Sequence, residues 1–311
     1  MRRLATSSFA LIVAIAITSP ASAATKLIFM HNASASFAAM FVAKDQGILE
    51  KHGLDVEFTP AQSGAVMPPA LVSGSVQLAA PTATVLVQAH EQGIDLVAVA
   101  NTAAYPSAAD GQIVGRTGSG LKETRDLMGH KVGLPSLGGI FEVLMRDWVR
   151  KAGADDTKVQ WLEVQMRQMG DALKSGLVDA AVPVEPFYSR IVRSGIGYPM
   201  GDFEAAVPAG TIPVLYVTTR AWATANPQTI TALRESMAEA ITFIGNPANA
   251  AAVRSAIAAH TKLPPEAAAT LKIPSGLQVP VKPQGLQFWV MVMRQQGLIE
   301  HDIDPASLIA P

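Results

Sequence analysis

The chain carries one phrase twice. "ALVSGSVQLAAP" (residues 70–81) returns as "ALKSGLVDAAVP" (172–183), with seven of the twelve positions identical. The surroundings repeat as well. In the first copy "KLIFM" reads as a short buried strand, "HNASAS" as a small-residue loop and "FAAMFVAKDQGILEKHG" as a helix. Then come the strand "LDVEFTP", the helix "VMPPALVSG" and the strand "VQLAAP". In the second copy the same order is filled by "KVGLP", "SLGG", "IFEVLMRDWVRKAG", "VQWLEV", "MGDALKSG" and "VDAAVP". The offset drifts from 105 residues at the start to 102 at the end, as a duplication with small loop insertions would leave it. The phrase itself is a helix end followed by a strand. Gly74 and Gly176 accept the left-handed conformation that closes a helix, and the apolar run after each is halted by Pro81 or Pro183, which cannot continue a ladder.

Strands alternating with helices of this length imply parallel pairing through right-handed crossovers, an α/β fold. Ligands of such open sheets bind beyond the carboxyl ends of the strands. Two copies then make two lobes whose strand ends face one cleft. The stretch around Ala108 to Ile113 reads as a first crossing between lobes. "FEAAVPAGTIPVLYVTT" (Phe203 to Thr219), punctuated by Pro208, Gly210 and Pro213, reads as the return. The expected division is residues 24–109 plus 212–311 for one lobe and 110–211 for the other. Helices opening at Asn226-Pro227 and Asn246-Pro247 follow, and a strongly apolar last helix, Gln284 to Gly297, should pack across the first lobe.

Residues 1–23 are of another kind. Arg2 and Arg3 precede the apolar run Phe9 to Ile17, and Ala21 and Ala23 form an A-x-A ending. This is the layout of a secretory signal peptide cleaved after Ala23, so the mature chain is expected in the periplasm. The run is shorter than the roughly 20 residues needed to span a bilayer. The net charge of −1 and the lack of long Lys/Arg runs argue against a nucleic-acid or polybasic membrane binder. With no cysteine, disulfides, thiolate catalysis and cysteine-ligated metal are excluded. No nucleophile elbow, P-loop or H-E-x-x-H occurs, so no catalytic, metal or cofactor-binding residue is assigned.

The candidate ligand-binding residues lie where strands end. His31, Asn32, Ser34 and Ser36 occupy the first small-residue loop; Ser136, Gly138 and Gly139 occupy its twin. Such loops present backbone N–H groups and hydroxyls at a helix start, where an anionic or polar group can sit. Plain helix capping is the rival reading for Ser34 and Ser36, and the symmetric pairing of the loops favours a ligand role. Thr82 and Thr84 follow the third strand, and Glu185 and Phe187 stand at the matching place in the second copy. Glu185 is either an acceptor for a ligand N–H or a solvated rim charge; its place between two prolines after a buried strand favours the first. Ser63 caps the second helix and lines the site, and Tyr105 walls it near the first crossing. Phe37, spaced with Met40 and Phe41, reads as core. The methionines of the last helix read as core too.

The motifs "FVAKDQGILEKHGLDVEF", "ALVSGSVQLAAPT", "TRDLMGHKVGLP" and "ALKSGLVDAAVPVEPF" resemble the solute-binding proteins of the SsuA/NMT1/THI5-like group, over nearly all of residues 26–300. That resemblance implies a two-lobed type II periplasmic-binding-protein fold, each lobe a mainly parallel sheet flanked by helices, with two crossing strands. It implies a receptor that serves an ABC importer for sulfonates, taurine, nitrate or pyrimidines. The partners would be a small-molecule ligand and the importer's membrane permease, with a monomeric chain and hinge closure as the mechanism. The enzymatic branch of the group is similar to a Cys- and His-rich iron-dependent site, and this chain has no cysteine. The alternative is an exported enzyme on the same fold acting on a small organic acid or pyrimidine, with His31 and Glu185 as its visible acid–base candidates.

Overall fold

A computed structural model describes residues 24–61, 63–105, 112–184, 187–205, 207–263, 268 and 271–311. The expected signal peptide, much of the expected first crossing and Glu185 lie outside the described residues.

Two five-stranded sheets form, and their strand orders match position by position. The first comprises β1 (Thr25–His31), β2 (Leu54–Pro60), β3 (Leu78–Ala79), β4 (Leu96–Asn101) and β10 (Leu215–Thr219), in the order β2-β1-β3-β10-β4. The second comprises β5 (Gln112–Arg116), β6 (Lys131–Leu134), β7 (Gln160–Glu163), β8 (Ala180–Ala181) and β9 (Gly197–Asp202), in the order β7-β6-β8-β5-β9. In each, the first three strands are parallel and the fourth runs antiparallel between the third and the edge. That fourth strand is the first one the chain lays down after crossing from the other sheet. Alternation explains β1: Leu27, Phe29 and His31 are buried on one face, while Ile28 and Met30 pack on the other.

The long first helix expected from sequence is broken. It divides into α1 (Ala38–Asp45) and α2 (Ile48–Lys51), because Gly47 takes a left-handed φ of 67° and turns the chain. The duplicated helices are α3 (Met67–Val72) and α6 (Met169–Ser175), each entered through a 3-10 turn and followed by glycine at φ 73° (Gly74) or 75° (Gly176). α4 (Ala83–Glu91), α5 (Ile140–Lys151) and α7 (Phe187–Arg193) each start after a strand's carboxyl end. α8 (Arg220–Ala225), α9 (Pro227–Gly245) and α10 (Ala250–Thr261) cover the first sheet. Asn246 does cap as expected, accepting from Ala248 N–H; Asn226 instead donates its side-chain amide to the Trp222 carbonyl. No described helix is long and apolar enough to cross a membrane.

The last helix, α11 (Gln284–Gln295), does more than pack on the first lobe. Its Trp289 is fully buried and donates Nε1–H to the Ile212 carbonyl on the return crossing (2.7 Å). At its end, the Gln295 carbonyl accepts from Arg150 of α5 (2.8 Å), and Gln296 donates its side-chain amide to the Val143 carbonyl (2.8 Å). One apolar cluster therefore runs through both lobes, from Leu86 and Trp289 to Ile140 and Leu144.

Candidate functional site

Parallel pairing gathers the first lobe's candidates at one end of its sheet. His31 ends β1, and the neighbouring β3 delivers Pro81 and Thr82 beside it; Ala80 N–H donates to the Met30 carbonyl (3.0 Å). Ser34 accepts from Ser36 N–H (3.2 Å), so the capping role is real and local. Thr82 precedes α4, and its hydroxyl pairs with that of Thr84 (2.9 Å) instead of capping the helix. Thr82 also bridges to Val214 on the return crossing, and Thr102 donates to the Val214 carbonyl (2.9 Å). Ser63 stands ahead of the 3-10 turn before α3 and makes no capping bond.

His31 is placed differently from its neighbours. Its ring is 4% exposed and packs on Phe29 (5.1 Å between ring centres), with Phe37, Phe41 and Phe58 presenting edges. Nδ1–H donates to the Asn32 carbonyl (2.8 Å), which fixes the tautomer because a carbonyl can only accept. Burial pushes the imidazole below its ordinary value, the Asn32 bond pulls the other way, and His260 nearby adds to the lowering. The group is a neutral ring in an aromatic core. Phe37 is in that same cluster, as its spacing indicated.

In the second lobe, β6 ends at Leu134 and the Ser136–Gly139 loop leads into α5. Ser136 does not cap the helix; Gly139 holds that position, and a side chain there would strike the Ser136 hydroxyl. Two of the loop's amides are already taken. Gly138 N–H donates to Glu142 (2.6 Å) and Leu137 N–H to Glu163 (3.4 Å). Glu142 is buried and tied to Arg146, which also holds Asp156 (2.9 Å); Arg150 binds Asp156 in turn (2.5 Å). Acids in a helix's first turn suit its positive end, so this loop has chosen its own carboxylates as partners. Phe187 opens α7 just past β8, with the Arg190 guanidinium 5.3 Å from its ring centre.

The first lobe reaches the second lobe's loop through α4. Gln88, on α4 of the first lobe, donates its side-chain amide to the Gly138 carbonyl of the second (3.2 Å). Tyr105 sits at the joint and not on an open wall. It is 6% exposed, its backbone exchanges hydrogen bonds with Gly210 and Thr211 of the return crossing, and its hydroxyl donates to Glu204 (2.9 Å). A cavity of 640 Å³ lies elsewhere, along the first half of β1 and β2, where Lys44 is paired with Glu50 and Asp55.

Sequence reasoning missed Gln88, Glu142, Glu163 and Arg190. Glu142, three residues after the cap, stands where acids reach back to free amides, a readable signal. Gln88 and Arg190 stand 102 residues apart, the offset of the duplicated phrase, and could have been found by extending the repeat. Asn101, at the end of β4, is 2% exposed, and neither polar atom of its side-chain amide has a partner among the described residues; such groups concentrate where a structure serves a function.

A family model described as NMT1/THI5 like matches residues 34–250. A Haemophilus influenzae protein provisionally named for thiamine biosynthesis is 28% identical over 176 residues, 56% of this chain and 54% of that protein; the chain thus spans about half the length of the curated relative it matches. Among solved structures, the periplasmic aliphatic sulphonate binding protein SsuA of Escherichia coli superposes with a TM-score of 0.75 at 22% identity, covering 92% of both chains. The alkanesulfonate-binding SsuA of Xanthomonas axonopodis pv. citri gives 0.75 at 20%, covering 93% of this chain and 99% of that one. The periplasmic nitrate-binding protein NrtA of Synechocystis gives 0.72 at 16%, covering 92% and 85%. At these identities the likeness establishes the fold, that of the periplasmic binding proteins.

Proposed function

We infer, from the premise that the chain belongs to the NMT1/THI5-like family, that it is an exported receptor which captures a small organic solute between its lobes for an ABC importer. The observation that carries this reading is the presence of two sheets of like strand order, with α4 of the first lobe bonded through Gln88 to Gly138 in the second lobe's loop. Each lobe by itself offers half of a site: Ser34, Ser36 and Thr82 on one side, where Thr84 is fully buried and only pairs with Thr82, and Ser136 with Phe187 on the other. A solute that touches both halves stabilises the closed arrangement by its differential contacts, and the permease then recognises the two lobe faces in that arrangement. The names of the structural neighbours support an anionic solute, and that of the curated relative supports a heteroaromatic one.

The receptor reading is favoured over an enzyme by His31. One member of the expected acid–base pair is enclosed in phenylalanine rings. The test combines a thermal-shift screen of a solute library with small-angle scattering on each hit. A solute that raises the melting temperature and reduces the radius of gyration, and that is recovered unaltered after long incubation, supports the receptor. Stabilisation with an unchanged radius of gyration counts against closure, and conversion of the solute supports the enzyme. Periplasmic residence is tested by mass spectrometry of the cell fraction: the mature chain should begin at Ala24.

A further inference from the structure

Two amides of the loop expected to hold an anion in the second lobe already have carboxylate partners. An anion seated on the Ser136–Gly139 loop would meet the Glu142 and Glu163 carboxylates that already accept its amides. Arg146 and Arg150 balance Glu142 and Asp156 and leave no cation over for Glu163 or for an added anion. A different cation stands in α7, the helix that follows β8. The side chain of Arg190, an exposed residue, makes no salt bridge or hydrogen bond among the described residues, and its guanidinium rests over the ring of Phe187 at 5.3 Å. A cation–π contact of this kind consumes no N–H donor, so the guanidinium keeps its N–H groups for bidentate recognition of an oxyanion.

The duplication says which way this arginine is placed to work. Residue 190 matches residue 88 of the first lobe at the repeat's own offset. Gln88 reaches across to the facing lobe's loop. The twin position in the second lobe carries a charge instead of an amide, and its side chain has no ion-pair or hydrogen-bond partner among the described residues. Resting on the receptor reading above, we infer that Arg190, seated on Phe187, is the anchor for an anionic group of the solute, a carboxylate or sulfonate, and that the Ser136–Gly139 loop is not.

The experiment compares wild type with Arg190→Gln, which installs the residue of the matching first-lobe position. Both are titrated calorimetrically with benzoate and benzenesulfonate, and with benzamide and benzenesulfonamide as uncharged counterparts of similar shape. The acids should bind wild type, weaken at least tenfold in Arg190→Gln and weaken with added sodium chloride, while the uncharged probes change less than twofold. Arg190→Lys should recover part of the loss. Phenylglyoxal should label Arg190 in the free wild-type protein, and benzoate but not benzamide should protect it, a readout independent of any variant's folding. Acids bound equally by wild type and Arg190→Gln, or acids and amides weakened alike, overturn the anchor. A neutral solute that closes the lobes while no acid binds overturns it too and leaves the receptor standing. Failure of every solute to move either the melting temperature or the radius of gyration overturns the receptor reading itself.

Discussion

Replacing Tyr105 by phenylalanine removes a single oxygen from the joint between the two crossings. Tyr105 and Glu204 are 6% and 7% exposed, and the hydroxyl donates to the Glu204 carboxylate at 2.9 Å. Solvent therefore does little to screen the bond, and a buried donor lost to a charged acceptor costs about 2 kcal/mol. For a chain of this size that lowers the melting temperature by about 4 °C, measured by differential scanning calorimetry at pH 7. A second signature comes at alkaline pH. Burial first, then the Glu204 carboxylate, holds the Tyr105 hydroxyl well above its ordinary value. In the unfolded chain it ionises near pH 10, roughly the free value. The folded state thus keeps a proton that the unfolded state releases. Its stabilising contribution is complete below about pH 10 and declines above it by about 1.4 kcal/mol per pH unit. Tyr105→Phe should lack that part of the alkaline decline, while the contribution of the buried Tyr216 cancels between the two proteins. A variant within about 0.5 kcal/mol of wild type at pH 7, with the same alkaline slope, would refute the reasoning.

Gly285→Ala should cost about 1–2 kcal/mol in urea unfolding, because the added methyl would lie 2.6 Å from Ile212 Cδ1 and 3.0 Å from the Gly210 carbonyl and would push α11 off the return crossing. Asp156→Asn should destabilise by about 2 kcal/mol, since it leaves Arg146 and Arg150 without their shared anion while both keep partial access to water. Burial works to raise the Asp156 carboxyl, but hydrogen bonds from Arg150 and Arg146 overcome it and hold it below its ordinary value. That contribution is present above about pH 4 and lost as pH falls through the lowered value, so the wild type and Asp156→Asn curves should converge in acid. Gly74→Ala and Gly176→Ala should each cost about 1 kcal/mol by the same assay, equal within error, because both replace a left-handed helix end in which nothing but backbone strain is at stake.

Much of the architecture was legible because it is local. Helix ends at Gly74 and Gly176, strands halted at Pro81 and Pro183 and the repeated order of elements all follow from conformational preferences within a few residues, and right-handed crossover then sets the handedness. The break at Gly47 could have been read by the same rule, but the apolar spacing on either side of it concealed the turn. Site residues were legible only in part. The loops were found because small residues before a helix are a local pattern, whereas Gln88 and Arg190 lie a turn inside their helices and look like any exposed polar residue.

What the order of residues determined by itself is therefore a pair of related α/β halves with loops at matching strand ends. What tertiary structure alone decided is who neighbours whom: that each sheet admits its fourth strand from the far side of a crossing, that His31 turns into a phenylalanine cage, that Tyr105 ties the crossings, and that Glu142 and Glu163 claim the Gly138 and Leu137 amides. The physical reason is range. Propensities and caps act over one helical turn, while the partner of a buried ring or a free N–H is chosen among groups tens of residues away, by packing and electrostatics that exist only once the chain has closed on itself.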